Sequence, residues 1–397
     1  MRWNLIIVFN AKIVTATRIL DSGFVVVENG KIVEVVQGNF MPEEVKNKFP
    51  QATLVDGCGN YLIPGLIDTH VHGGHGKGLM DGEEESLREL ALSCLKGGAT
   101  GFLATTRAAE KQNLWDVFAA YKHFLRTSDF AYKAAFLGIH METPFINPIR
   151  RGGQDQRWIR SIDLDEVSAY VDCLGEYLKI FSYGPELPGG LKLTQMLVEQ
   201  GIIASIGHSN ADFQEAKGAF DLGMSHINHC LNGMTGFHHR EPGILGAALD
   251  RQNLWVEIIC DGHHLHPQTI RLLYLLFGAD RLVLITDRTE AAGLPAGYHT
   301  IKGRHLQVTE QGEIIELERN IYSGSSLTMN RALINFMSMA NVSLVEAVAA
   351  ASLNPARLLA IDHKKGSIEA GKDGDLVLID GDGVVEWVML QGEICQM

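Results

Sequence analysis

The feature that most constrains the fold is a rhythm: through the middle of the chain, short apolar runs recur roughly every 25 to 45 residues and alternate with stretches of helical period. Eight such runs end near Asp68, Thr105, His140, Ser182, Gly207, Asn228, Cys260 and Thr286. Between them, sets such as Leu87, Leu90, Ala91, Cys94 and Leu95 form one helical stripe. Further on, Ser343-Leu344-Val345-Glu346 has the form of a capping box that opens another helix. Repeated βα units of this kind close into a (β/α)8 barrel or lie open as a doubly wound sheet, and periodicity alone does not choose.

The two ends read differently. Leu5–Phe9, Phe24–Val27, Lys31–Val36 and Tyr61–Ile63 are short β-rich runs punctuated by Asn29-Gly30 and Asp56-Gly57, and the last thirty or so residues have the same character. The expected organisation is therefore a composite β-sandwich made from residues 1–60 and 363–397, with a barrel at 61–362 inserted between them. The opening Met1–Phe9 has a charge followed by an apolar run, but Asn10 and Lys12 break it at once, so a strand is expected there and not a signal peptide.

Composition narrows the partners. With 397 residues, 46% of them hydrophobic, the chain has material for a large core. A formal net charge of −13 argues against nucleic acid and anionic membranes, so an anionic substrate would need a local Arg or Lys cluster. No apolar stretch approaches the roughly 18 to 20 residues of a membrane-spanning helix. Six scattered cysteines with no CxxC pair read as reduced thiols of a cytoplasmic protein.

The polar residues break the tie between the two folds, because they cluster where the strands end. Strand one finishes in Asp68-Thr69-His70-Val71-His72, whose two histidines point the same way from an extended segment. Strand three finishes in His140-Met141-Glu142, strand five in Gly207-His208, strand six in Asn228-His229 and strand eight in Thr286-Asp287. In a (β/α)8 barrel that end is the active-site face, so these residues would converge on one pocket. A single histidine after an apolar run is more often a hydrogen-bonded core or surface residue. Placement at successive strand ends is what makes the set specific. Several imidazoles with carboxylates favour Zn, Fe, Co or Mn over Mg or Ca. Such a cation would activate water and polarise a carbonyl, leaving Asp287 to move the proton. His75, His123, His299, His305 and His363 are expected to be solvent-exposed, and Cys230 a packed thiol.

Pro64-Gly65-Leu66-Ile67-Asp68 leading to His70 and His72, with Lys365-Gly366-Ser367-Ile368-Glu369-Ala370-Gly371 near the other end, resembles the two ends of the amidohydrolase superfamily. His140–Phe145, Gly207–Ala211, Asn228–Gly246, Asp261–His264, Thr286-Asp287 and Ser323–Met329 resemble, in order, the N-acetylglucosamine-6-phosphate deacetylases. The resemblance implies hydrolysis of the acetamide of an N-acetylhexosamine 6-phosphate on a metal-bearing barrel with a β-sandwich. It implies Glu142, His208 and His229 as principal metal ligands and Asp287 as acid/base. With His70 and His72 also present, one or two divalent ions are expected, Zn or Fe foremost. It further implies Asn232, the Gly233 amide and Arg240 at the sugar phosphate, with Arg240 reaching across a homodimer interface, and His264 at the sugar.

Two departures bear on substrate choice. Thr143 stands where the family carries glycine, which would narrow the pocket. Gln154 stands where the family has a histidine that polarises the carbonyl, and an amide offers a hydrogen bond but no positive charge. Arg288-Thr289-Glu290 is also bulkier than usual. Three alternatives follow: the galacto epimer or another N-acyl amine as substrate, a barrel that binds phosphosugars without turnover, and a cyclic-amide hydrolase. The last is disfavoured because many of those enzymes bridge two metals with a modified lysine.

Overall fold

The computed structural model describes residues 5–395, so Met1–Asn4 of the opening run, and the outermost residues of both expected sandwich segments, lie outside the described residues. The chain opens with strands β1 (Leu5–Val14), β2 (Ile19–Glu28), β3 (Lys31–Gln37), β4 (Thr53–Asp56) and β5 (Tyr61–Pro64). β2 and β3 are joined at Asn29 and Gly30, both at positive φ, the conformation that a tight hairpin requires and that Asn and Gly adopt most readily. Bulges in β1 between Phe9 and Ala11 and between Ala11 and Ile13 bend the strand. Its first half therefore pairs with β4 and its second half with β5.

The barrel begins with β6 (Leu66–Val71), followed by a small hairpin, β7 (Gly73–Gly74) and β8 (Lys77–Gly78). Then come β9 (Ala99–Thr105), β10 (Phe136–Glu142), β11 (Leu178–Tyr183), β12 (Ile203–Ile206), β13 (His226–Ile227), β14 (Trp255–Ile259) and β15 (Leu282–Ile285). These seven and β6 form one eight-stranded sheet in sequence order with every pairing parallel. The first and last strands meet: Asp287 N donates to His70 O at 2.9 Å and His72 N to Arg288 O at 2.8 Å. Asp68 strengthens that seam by accepting from Thr286 N at 3.2 Å and Thr286 Oγ1 at 2.5 Å. The barrel, not the open sheet, is the architecture.

Helices pack outside the strands with the stripes read from the sequence: Leu87, Leu90, Ala91, Cys94 and Leu95 of the Glu84–Lys96 helix are all buried. Ser343 and Glu346 form the expected capping box. After β15 a four-stranded antiparallel sheet intervenes, β16 (Gly297–Ile301), β17 (Arg304–Val308), β18 (Ile314–Glu316) and β19 (Ile321–Tyr322), with its own small core around Leu306, Val308 and Ile314.

β20 (Leu376–Ile379), β21 (Val385–Leu390) and β22 (Glu393–Ile394) return to the first sheet, where β20 pairs with β5. The sheet encloses its own apolar cluster, with Val8, Ile13, Val25, Leu62, Leu376 and Met389 drawn from both ends of the chain. A second cluster joins Ile7, Phe24 and Val26 to Val45 of the Pro42–Lys48 helix. The chain crosses into the barrel at Gly65, and Tyr61–Pro64 belongs to this composite sheet. A side chain at Gly65 would collide with Thr100, its Cβ only 1.9 Å from Thr100 Oγ1, so the crossing demands glycine.

Among the described residues no helix is long and apolar enough to cross a membrane. All six cysteines are free, and burial pushes the Cys230 thiol up to about 12, as expected of a packed side chain. His299 departs from the expected exposure: it is half-buried, its ring bonded to Pro295 O at 2.7 Å.

Candidate metal centre and active site

Every strand-end residue singled out as a ligand arrives at one place. His70 Nε2 and His72 Nε2 lie 3.2 Å apart. Glu142 Oε1 is 2.9 Å from His208 Nε2, 3.0 Å from His229 Nε2 and 3.9 Å from His70 Nε2, while its Oε2 is 3.7 Å from His72 Nε2. Asp287 Oδ1 is 3.3 Å from His72 Nε2 and 3.6 Å from His70 Nε2. Two groups could hold an ion here, His70 with His72 and Glu142, and Glu142 with His208 and His229. Glu142 is the shared member, with Oε1 toward His208, His229 and His70 and Oε2 toward His72.

The backbone is bent to bring them in. His208, His229 and Asp287 all have positive φ, at 46°, 21° and 50°, a region that side chains of this bulk adopt only when the surroundings impose it. Gly233 has φ 58°, and a Cβ there would stand 2.7 Å from His208 Nδ1, so only glycine lets this loop pass the imidazole.

The histidines are also held from behind. Nδ1 of His72 faces Thr105 O at 3.2 Å, that of His208 faces Arg150 O at 2.8 Å and that of His229 faces Asn232 O at 3.1 Å. A carbonyl only accepts, so each Nδ1 carries the proton and each Nε2 turns a lone pair inward. His70 has Glu257 behind it, with Oε2 3.5 Å from Nδ1. The lone pairs of His70 and His72 thus confront each other across 3.2 Å, an arrangement that a shared proton or a cation must relieve.

The electrostatics point the same way. Burial opposes the charged form of His70, but Glu257, Asp287 and Glu142 push its pKa up to about 10. Burial likewise opposes ionisation of Glu142 and Asp287, yet the surrounding imidazoles hold both well below the usual carboxylate range. A pocket that is anionic and imidazole-rich fits a divalent transition metal.

Around this centre lies a cavity of about 140 Å³ lined by His72, Glu142, Gln154, His208, His229 and Asp287 on the metal side and by Asn232, Gly233 and His264 beside them. His264 is braced by Asp261, Nδ1 to Oδ2 at 2.6 Å. Gln154 is buried, donates to Glu142 Oε2 and accepts from Ala108 N at 2.9 Å, so its amide is fixed against the centre. A larger cavity of about 1030 Å³ adjoins it through Arg107, Gly153 and Gln154.

One expectation changes. Thr143 does not line the pocket: its Oγ1 donates to Ser182 O at 2.8 Å and accepts from Phe145 N at 3.1 Å, so the side chain is turned into the barrel wall. Arg240 is exposed and does not line the pocket of its own chain.

Arg107, Tyr322 and Glu257 were not singled out from the sequence, and Gly324 stood there only within the matching stretch Ser323–Met329. Arg107 follows the end of β9 by two residues, so the strand-end rule was able to find it. Tyr322 ends β19, the last strand of the four-stranded insertion, and Gly324 follows it two residues on, in a part of the chain with no βα signal. Glu257 announces itself only as a lone acid inside the apolar run Trp255-Val256-Glu257-Ile258-Ile259.

Comparison with known proteins gives a consistent picture. The family model described as "Amidohydrolase family" matches residues 61–395. The N-acetylglucosamine-6-phosphate deacetylase of Bacillus subtilis (strain 168) is 35% identical over 383 residues, 96% of this chain and 95% of that protein. The N-acetylgalactosamine-6-phosphate deacetylase of Escherichia coli O157:H7 is 35% identical over 334 residues, 84% of this chain and 87% of its own length. Among solved structures, the N-acetylglucosamine-6-phosphate deacetylase of Pasteurella multocida superposes with a TM-score of 0.89 at 28% identity, covering 99% of this chain and 100% of that one.

Proposed function

The chain belongs to the amidohydrolase family, and from that premise we propose that it hydrolyses the acetamide of an N-acetylhexosamine 6-phosphate, with N-acetylglucosamine 6-phosphate the foremost substrate. The observation that carries the reading is the convergence of four Nε2 atoms and the carboxylates of Glu142 and Asp287 on one cavity, in a chain 35% identical over 383 residues to a deacetylase of that substrate.

In this reading His70, His72, Glu142, His208 and His229 would hold one or two divalent ions, Zn or Fe. When bound, the metal supplies an activated water and polarises the amide carbonyl. Asp287 faces the same space, and its carboxylate, ionised at neutral pH, takes a proton on one side of the reaction and returns it to the departing amine. Gln154, pinned between Glu142 and Ala108 N, offers the carbonyl oxygen a neutral amide hydrogen bond, so most of the polarising charge falls to the metal.

Asn232, the Gly233 amide and His264 bind the sugar phosphate from the adjacent wall. Arg240, exposed on its own chain, supplies its guanidinium to the phosphate of a second copy in a homodimer. The barrel unit then ends near residue 362, and the composite sheet holds its two ends together. Six free thiols accord with a cytoplasmic setting.

The galacto epimer is a second reading, favoured by an identity of 35% to the E. coli enzyme that equals the first. Acetate release from both 6-phosphates by metal-replete protein, compared as kcat/KM, separates the two. Binding of either sugar phosphate with no acetate released would overturn both and leave a non-catalytic barrel.

A further inference from the structure

Of the four imidazoles that face Glu142, three hydrogen-bond a main-chain carbonyl through Nδ1, whereas among the described residues the Nδ1 of His70 has no hydrogen-bond partner and faces a carboxylate oxygen at 3.5 Å. That carboxylate belongs to Glu257, which is fully buried in the middle of β14. Its Oε1 accepts from Thr69 Oγ1 at 2.6 Å and faces His226 Nε2 at 3.4 Å. Its Oε2 faces His70 Nδ1 at 3.5 Å and His229 N at 3.4 Å. No Lys or Arg is among these partners. A buried carboxylate without a cationic partner is costly, and the compensating charge has to come from the imidazoles around it and from what they hold.

We propose that Glu257 is a positioning residue for the His70–His72 half of the centre, accepting the Nδ1 proton of His70 so that its Nε2 lone pair meets that of His72, and thereby determining whether this half retains its ion. A carbonyl and a carboxylate both select the tautomer, but the carboxylate also makes the imidazole a stronger donor. The two halves therefore differ in kind. His208 and His229 share Glu142 Oε1 at 2.9 and 3.0 Å and form a compact set whose second partners are neutral. His70 and His72 stand 3.9 and 3.7 Å from Glu142, and the negative charge that draws a cation to them comes from Asp287 in front and Glu257 behind.

His70, His140 and Glu257 also lie close enough to suggest an ion site of their own. His140 rules it out. Its Nδ1 must donate to Thr69 O at 2.9 Å, and its Nε2 then accepts from Ser182 Oγ at 2.7 Å, so no lone pair is left for a metal. The lower cluster is an orienting layer beneath the centre.

The inference rests on reading the centre as binuclear, and its test is metal retention, measured apart from activity. Wild type and Glu257→Gln are loaded with Zn²⁺, dialysed against a graded chelator and analysed for zinc per chain. The isosteric amide removes the charge and can turn an N–H toward His70 in place of an acceptor. Wild type is expected to hold two ions, and Glu257→Gln to hold one firmly and bind the second about 10- to 100-fold more weakly. Thr69→Val, which leaves the carboxylate but removes its hydroxyl partner, should weaken the second ion by a smaller factor. In zinc-loaded wild type, the ¹⁵N signals of His70 should report a protonated Nδ1 and a metal-bound Nε2, a measurement that stands even if Glu257→Gln fails to fold.

A folded Glu257→Gln that retains zinc as wild type does, or a His70 protonated at Nε2, would overturn the proposal. A wild type holding one ion, unchanged by the substitution, would overturn it too while leaving the deacetylase reading to acetate release. Two ions lost asymmetrically with no acetate from any sugar phosphate would sink the deacetylase reading and leave Glu257 in its role.

Discussion

The composite β sheet packs a hydrocarbon cluster running through Val8, Ile13, Val25, Leu62, Leu376 and Met389, whereas the barrel strands and the turns that follow them bury Asp68, His70, His72, Glu142, His208, His229 and Glu257. Their unusual backbones differ in the same way. In the sheet, positive φ falls at the β1 bulge residue Asn10 and at turn residues such as Asn29 and Gln391. In the barrel it falls at His208, His229 and Asp287. Asn tolerates that conformation, while a bulkier residue held there costs on the order of 1–3 kcal/mol. One region is built for stability, and the other spends some of it to aim side chains that a relaxed chain would point elsewhere.

The sharpest way to break this comparison is Asp287→Asn. Acetate release should fall about 10²- to 10⁴-fold when the variant is assayed under saturating metal, and a fully active variant would remove Asp287 from the mechanism. Ile13→Ala in the composite sheet should do the reverse. Denaturant unfolding should register a loss of about 2–5 kcal/mol, and kcat per folded molecule should stay at the wild-type value. A fall in kcat there would mean that the sheet is coupled to the centre.

Arg240→Ala should raise KM about 10- to 100-fold, as expected for loss of a charge-assisted phosphate contact, with little change in kcat or in melting temperature. Titrating an inactive Arg240-intact partner, Asp287→Asn, into Arg240→Ala should restore low KM in mixed dimers, and failure to do so would place the contact within one chain. Thr143→Gly should have the smallest effect, a cost of about 1 kcal/mol from the lost bonds to Ser182 O and Phe145 N with kcat/KM within a few-fold of wild type. A large gain in kcat/KM would return Thr143 to the pocket wall.

Much of the site was legible in the sequence because a (β/α)8 barrel turns position along the chain into position in space. A polar residue at the end of an apolar run is on the active face, and His70, His72, Glu142, His208, His229 and Asp287 all obey that rule. Gly233 was readable for the same reason, as part of a stretch that follows a strand end. Thr143 was misread because the side of a strand end to which a side chain turns depends on a partner, here Ser182 on the neighbouring β11. Arg240 was legible as a basic residue within the stretch Asn228–Gly246, but its place outside the pocket depends on how the loop folds. The β16–β19 insertion left no mark, since antiparallel strands of mixed polarity break the βα rhythm without announcing what they cover.

The sequence by itself determined the architecture and which polar side chains converge on one face, since hydrophobic period and strand-end chemistry are local properties of the chain. Only the tertiary structure decided which nitrogen each histidine turns inward, how Glu142 divides its oxygens, and that a carboxylate stands behind His70. Those depend on contacts such as Thr69 to Glu257, 188 residues apart, whose distances of a few ångströms no local pattern encodes.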